Sequence, residues 1–227
     1  MTDPFTAQRD EMVDRQIAAM GIADTRVLAA MRTVPRHEFV PEWLKDSAYR
    51  DGPLPIGENQ TISQPYVVAH MTEALQLRGG ERVLEIGAGS GYAAAVLAQI
   101  AGEVLTVERI ATLAAQARAV LERLGYGNVH VVIGDGTLGW AEAAPYDAIV
   151  VAAGGPFVPP TLRAQLKPYG RLVMPVGQDS YGQSLVRVTR SISGNDTEEH
   201  LSLVSFVPLI GAEGWKDATQ RESGDTG

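Results

Sequence analysis

The run Val83-Leu84-Glu85-Ile86-Gly87-Ala88-Gly89-Ser90-Gly91-Tyr92 constrains this chain more than any other. A short apolar stretch of strand type enters a Gly-x-Gly-x-Gly turn, and the Tyr92–Gln99 segment behind it has the alanine-rich composition of a helix. A turn without side chains lets the backbone pass close to a ligand, and the N–H groups at the start of the next helix point into the same space. The unit therefore belongs at the carboxyl edge of a parallel sheet and fits a nucleotide-like ligand. Alone it is a weak signal, because glycine triplets also serve simply to turn corners.

The rest of the chain supplies the sheet. Apolar, β-branched runs at 82–86, 104–107, 129–133, 147–152 and 171–176 alternate with helix-like stretches at 91–101, 110–124 and 159–166. Strand and helix in alternation imply a parallel sheet covered on both faces. After Gly177 the pattern changes to strand-like 184–190, a polar turn Ser193-Gly194-Asn195-Asp196, and strand-like 201–207, an antiparallel hairpin. The expected fold is α/β: a doubly wound, mostly parallel seven-stranded sheet closed by a C-terminal antiparallel hairpin. Ahead of it, apolar spacing over 8–34 predicts two short helices broken at Gly21 and ended by Pro35 and Pro41. Residues 43–61 have no sustained period and read as an irregular surface segment, and a further helix spans 65–77. A single domain is expected, with 1–78 as an N-terminal helical, substrate-side extension, 79–177 as a cofactor-binding core, 178–210 as the hairpin and 216–227 as a frayed tail.

Composition removes several functions. The net charge is -8 over 227 residues, with no run of Lys or Arg to follow a phosphate backbone, so neither nucleic acid nor an anionic membrane is expected as a partner. The chain has no cysteine and four scattered histidines, which leaves no thiolate chemistry and no metal-ligand spacing. With no leader-like N-terminus and no bilayer-length apolar window, a cytoplasmic location and a monomer are the default expectations.

The carboxylates narrow the ligand. Glu108 ends the second strand roughly 20 residues beyond the glycines, where an acidic side chain accepts from both ribose hydroxyls. Asp135-Gly136 follows the third strand at the same edge, where an acceptor meets an adenine amino group; a plain Asp-Gly turn is the alternative. Glu85 lies inside the first strand, where it either contacts the ligand or braces the loop, and burial demands a hydrogen bond. A nicotinamide enzyme fits poorly: the third glycine comes one place early for Gly-x-Gly-x-x-Gly, and a hairpin replaces the second mononucleotide half. The ordered series Glu85-x-Gly87-x-Gly89-x-Gly91, Val107-Glu108, Gly134-Asp135-Gly136, Tyr146-Asp147-Ala148-Ile149-Val150 and Leu166–Leu172 resembles the motifs of class I methyltransferases, which have a Rossmann-like fold. That resemblance implies S-adenosylmethionine as cofactor, bound at Glu85, Gly87, Gly89, Gly91, Glu108, Asp135 and Gly136.

A narrower resemblance precedes the sheet. Pro53-Leu54-Pro55-Ile56-Gly57-Glu58-Asn59-Gln60-Thr61-Ile62-Ser63-Gln64-Pro65-Tyr66-Val67-Val68-Ala69 is similar to the signature of protein-L-isoaspartate O-methyltransferases. So are Val34–Pro41 and Phe206-Val207-Pro208-Leu209 with Gly214-Trp215, and the likeness runs over roughly residues 11–216. Asn59 stands where glycine is expected, and asparagine is the residue that best tolerates the same left-handed backbone. The resemblance places the active-site serine at Ser63, with Gln60 and Thr61 beside it on the substrate, and Ile56 and Val68 as candidate walls. From pattern alone, Ser63 ahead of a proline-initiated helix is equally a capping residue.

The chemistry is consistent with these residues. A main-chain carboxyl has a pKa near 3.5 and is ionised at neutral pH, so it attacks a sulfonium methyl without a general base. Orientation then supplies roughly 7–11 kcal/mol of barrier reduction. The implied substrate is the free α-carboxyl of an isoaspartyl residue in a damaged protein or peptide, whose methyl ester closes back to succinimide. His37 and the aromatic Trp43, Trp140 and Trp215 are left outside the site. The rivals are a methyltransferase for another carboxylate or small molecule, a non-catalytic adenosylmethionine-binding module and an NAD-dependent dehydrogenase.

Overall fold

Five adjacent parallel strands run in from one edge of a seven-stranded sheet in the structure, a computed structural model that describes residues 3–178 and 182–216. The N-terminal helix α1 (Thr6–Glu11) runs on through a wide turn, Met12–Ile17, and a tight turn, Ala18–Met20, before Gly21 stops it in the left-handed conformation. Helix α2 (Thr25–Thr33) starts at Asp24, whose side chain accepts from Arg26 N. Short 3-10 turns, Arg36–Phe39 and Glu42–Ser47, lead into strands β1 (Leu54–Gly57) and β2 (Gln60–Ile62). Helix α3 (Pro65–Ala74) then opens with proline, whose missing N–H costs nothing at a helix start.

The core follows as β3 (Arg82–Ile86), α4 (Tyr92–Ala98), β4 (Glu103–Glu108), α5 (Ala111–Arg123), β5 (Val129–Ile133), β6 (Tyr146–Val151), α6 (Pro160–Ala164) and β7 (Leu166–Val176). Strands β8 (Gln183–Thr189) and β9 (Thr197–Val204) complete the order β5-β4-β3-β6-β7-β8-β9, with β8 and β9 antiparallel. Burial on both faces explains the unbroken apolar runs. Leu84 and Ile86 face a layer with Ile149, Leu172 and Met174, while Val83, just before them, faces the other way, toward Met71 and Leu97 of α3 and α4. The N-terminal extension packs Met12, Ile17, Met31 and Phe39 against Tyr92, Leu113 and Leu121 of α4 and α5.

The 43–61 segment is not irregular. Leu54 pairs with Ile62 and Gly57 with Gln60 in a hairpin whose tip residues, Glu58 and Asn59, have φ of 52° and 55°. Two left-handed residues in succession make the reversal that matches strand twist. Strands of four and three residues, one holding Pro55, are too short to show a period. Strand β7 begins at Leu166 instead of 171, because a bulge lets Lys167–Gly170 oppose Asp147 before pairing resumes at Arg171. Strand β9 starts at Thr197 instead of 201, its first four residues being exposed and polar. The expected frayed tail lies, from 217 on, outside the described residues.

Candidate functional site

The strand order fixes where a ligand fits. From β3 the chain winds outward through β4 and β5, then returns to the opposite side of β3 as β6. A crevice opens at such a switch point, beyond the carboxyl ends of the strands. Gly87 N continues the ladder to Val107 O at 2.8 Å, and Ala152 N donates to Ile86 O at 2.8 Å, so the crevice floor is sheet backbone. Gly91 starts α4 at φ 87°, and a Cβ there would press on Leu121 and Ala117 at 3.2–3.3 Å. Only glycine meets both the dihedral and the packing. A cavity of about 820 Å³, counting its open mouth, lies over this loop. Gly87–Ser90, Val107–Ile110, Gly136, Ala152 and Ala153 wall one side; Gln60–Ser63, Val68 and Val207–Ile210 wall the other.

The expected carboxylates divide into one that faces the cavity and two that do not. Glu108 lines it and is 6% exposed, accepting from Gly89 N at 3.0 Å and Ile110 N at 2.9 Å. Each carboxylate oxygen keeps a further lone pair for a ligand hydroxyl. Asp135 stands outside the lining: it accepts from Thr137 N, Thr137 Oγ1 and Ala212 N at 2.7–2.9 Å and so ties the C-terminal segment to the end of β5. Its neighbour Gly136 is the residue that reaches the cavity, and a Cβ there would overlap Ile86 Cγ2. Glu85 is fully buried beneath the loop, also outside the lining, with Thr106 Oγ1 donating to it at 2.5 Å and its second oxygen unpartnered. Burial pushes Glu85 up to about 8 against the pull of the Thr106 hydrogen bond, and the charge of Glu108 adds to the rise. A neutral acid wedged between β3 and β4 has the geometry of a brace.

A second, open cavity of about 1780 Å³ adjoins the first and shares Thr61, Ser63, Ala152, Val207 and Pro208 with it. Its far side is the Tyr66, Val67 and His70 face of α3 and the Ser202–Phe206 end of β9. Ser63 thus stands at the junction. The N-terminus of α3 carries no side-chain cap, so the capping role open to Ser63 in the sequence is not taken up. Gln60 lines the first cavity while its amide donates to Glu58 O at 3.2 Å across the hairpin tip. Ile56 lies over the glycine loop, 3.3 Å from where a Gly89 Cβ would be, and Thr112 Oγ1 of α5 holds the hairpin by donating to Glu58 Oε1 at 2.8 Å.

The sequence reading gave no role to the segment after β9. Val207–Ile210 form a wall common to both cavities in part, held by Gly154 N to Val207 O and Leu209 N to Gly154 O, each 2.8 Å. Its signal was the Phe206–Leu209 and Gly214-Trp215 match; Trp215 Nε1 donates to Gly154 O at 3.0 Å. His37 lies elsewhere, stacked on Phe5 and hydrogen-bonded to Tyr49. Among the described residues no cluster of His, Asp and Glu is arranged to hold a metal.

The profile of the protein-L-isoaspartate(D-aspartate) O-methyltransferase family matches residues 7–214. Protein-L-isoaspartate O-methyltransferase 1 of Rhodopseudomonas palustris strain HaA2 is 62% identical, over 97% of this chain and 90% of that protein. Protein-L-isoaspartate O-methyltransferase of Syntrophus aciditrophicus is 56% identical over 95% of this chain and 99% of its own length. A solved protein-L-isoaspartate O-methyltransferase superposes with a TM-score of 0.81 at 31% identity, covering 91% of this chain and 67% of that one. A Plasmodium falciparum structure described in the same terms, in complex with S-adenosyl-L-homocysteine, gives 0.75 at 25% identity, covering 89% and 98%.

Proposed function

The chain belongs to the protein-L-isoaspartate(D-aspartate) O-methyltransferase family, and from that premise we infer that it transfers the methyl group of S-adenosylmethionine to the free α-carboxyl of L-isoaspartyl residues in damaged proteins and peptides. The observation that carries the reading is the pair of joined cavities, with Thr61 and Ser63 on the boundary between them. The glycine loop with Glu108 fits a nucleoside: bare backbone for close approach, a carboxylate for a ribose diol.

When bound, the sulfonium supplies an electrophilic methyl group, which the ionised substrate carboxylate takes as its C–O bond forms and the C–S bond breaks. The chain's part is positional. Gly87, Gly89 and Gly91 cradle the cofactor by backbone, Glu108 accepts from its hydroxyls, and Gly136 permits approach on the far side. Glu85 and Asp135 are assigned as supports, Glu85 under the loop and Asp135 behind Gly136. The hydroxyl of Ser63 donates to the substrate carboxylate and holds it in line, with Thr61 and Gln60 aligning the peptide on the hairpin side. No general base is needed, because the attacking group is already an anion at neutral pH. The ester then closes to succinimide without a protein group: the neighbouring main-chain nitrogen attacks the ester carbonyl, the C–OCH3 bond breaks, and the methoxy group leaves with the nitrogen's proton as methanol.

The partner is accordingly a flexible segment of a damaged protein, bound without metal. We further propose a monomer that does not bind nucleic acid and works in the cytoplasm, in keeping with its net charge of -8; among the described residues no helix is long and apolar enough to cross a membrane. The test is methyl transfer from labelled S-adenosylmethionine to an isoaspartyl peptide and to its normal aspartyl twin. Base-labile label on the first alone is expected. Equal labelling of both, or none on either, would refute the assignment.

A further inference from the structure

Arg36 has no carboxylate within ion-pair reach among the described residues, although its side chain is fully buried. Taking an unpaired cation out of water costs several kcal/mol, and an apolar residue of similar volume would avoid the cost. Its Nε donates to Ala48 O at 2.8 Å, but neither terminal nitrogen has a hydrogen-bond partner. The guanidinium lies instead over the ring of Tyr92, its carbon 4.8 Å from the centroid. An aromatic face attracts a desolvated cation through the negative charge density of its ring.

Tyr92 is the first residue of α4, directly after Gly91, and it lines the cofactor cavity while being 1% exposed. The N-terminal extension grips this ring from three sides. Arg36 covers its face, Phe39 meets it edge-on at 5.7 Å, and its hydroxyl donates to Met31 Sδ at 3.7 Å. The extension carries none of the glycine-loop motif, yet three of its side chains meet on the first residue of α4.

We propose that Arg36 is a positioning residue for the cofactor: stacked on Tyr92, it fixes the start of α4 and with it the Gly87–Gly91 loop. The extension then belongs to the cofactor site as well as to the substrate side. Because the orienting contact is a cation on a ring face, charge and ring are needed together, and each should lose its effect when the other is removed.

The inference rests on the cavity being the adenosylmethionine site, so the first measurement is calorimetry of S-adenosylhomocysteine with the unaltered chain. Absence of binding there refutes the function assigned above; binding there isolates the role of Arg36. Arg36→Met is then expected to weaken the ligand about tenfold, in line with a desolvated cation–π contact, and to raise KM for the cofactor while KM for an isoaspartyl peptide holds. Arg36→Lys, which keeps the charge and loses the planar stack, should fall between. In a Tyr92→Leu background, Arg36→Met should cost less than about threefold, the coupling expected of groups in contact. A lowered melting temperature with native ligand affinity is the outcome of a purely structural residue and overturns the proposal. So does an undiminished loss in the Tyr92→Leu background. Should Arg36→Met not fold, Arg36→Lys alone and with Tyr92→Leu decides by the same comparison.

Discussion

The two sides of the cofactor cavity are built on opposite principles. The glycine loop is wedged between a buried strand and a buried helix, and Val107 O, Ala88 O and the Glu108 carboxylate hold its amides. The facing β1–β2 hairpin has strands of four and three residues, and Ile56 and Ile62 are its buried side chains. A two-stranded ribbon of that length has little stability of its own. One side offers a backbone fixed by its hydrogen bonds; the other presents the Thr61 hydroxyl from an element expected to open at low cost. Substitutions under the loop should therefore register in stability and cofactor affinity, and substitutions on the hairpin in turnover and exchange.

Glu85 offers the largest effect with which to break this contrast. Its folded pKa is raised to about 8 from an ordinary 4.5, so between those values the native state holds a proton that the unfolded chain releases. Stability from this group is complete at pH values below the unfolded pKa and drains away as pH rises toward 8. Glu85→Gln removes the titration while keeping the shape. From pH 5 to pH 7 the stability of the native chain relative to this variant should fall by roughly 2–3 kcal/mol, read from denaturant midpoints at each pH. A gap that does not move with pH would mean that Glu85 is ionised, and a tenfold loss of S-adenosylhomocysteine affinity would make it a ligand contact instead of a brace.

The same contrast explains what the sequence disclosed. Buried parallel strands and a side-chain-free loop leave an unambiguous imprint, long apolar runs and spaced glycines, so the sheet, its order of strands and helices, and the Gly87–Gly91 loop were legible. The hairpin left none, since Glu58 and Asn59 adopt the left-handed conformation without a glycine to announce it. Acidic residues at the sheet edge were legible as positions but not as roles. Glu108 ends a strand and Asp135 follows one, and only the three-dimensional path of residues 207–215 reveals that Asp135 accepts from Ala212 N. That path is a long-range feature: Asp135 and Ala212 are 77 residues apart, and no local pattern joins them.

Ser63 sharpens the contrast from the other side. As a hydroxyl on the shared boundary of two cavities, it is assigned to orient the substrate carboxylate, and misplacing a reacting group by about 1 Å costs on the order of a hundredfold. Ser63→Ala should lower kcat by about ten- to a hundredfold, up to about 2.7 kcal/mol, with S-adenosylhomocysteine affinity and melting temperature near native. Steady-state kinetics beside calorimetry separates the cases: unchanged kcat would return Ser63 to packing, and a matching loss of cofactor affinity would erase the division of labour between the two sides.

The smallest effect concerns what keeps the hairpin shut. Glu58 at its tip accepts from Thr112 Oγ1 near the start of α5, an exposed hydrogen bond between the hairpin and the body of the sheet domain. Such a bond contributes about 0.5 kcal/mol, which is about twofold in a rate. Thr112→Val keeps the branched shape and deletes the donor, so S-adenosylhomocysteine should dissociate about twofold faster in stopped-flow displacement while the melting temperature stays within about 1 °C, since surface changes of this size barely touch global stability. The two readouts must part company for the hairpin to count as a lid of low local stability. If release is unaltered, the tether does not limit opening, and Ile56 resting on Gly89 is the contact that holds the two sides together.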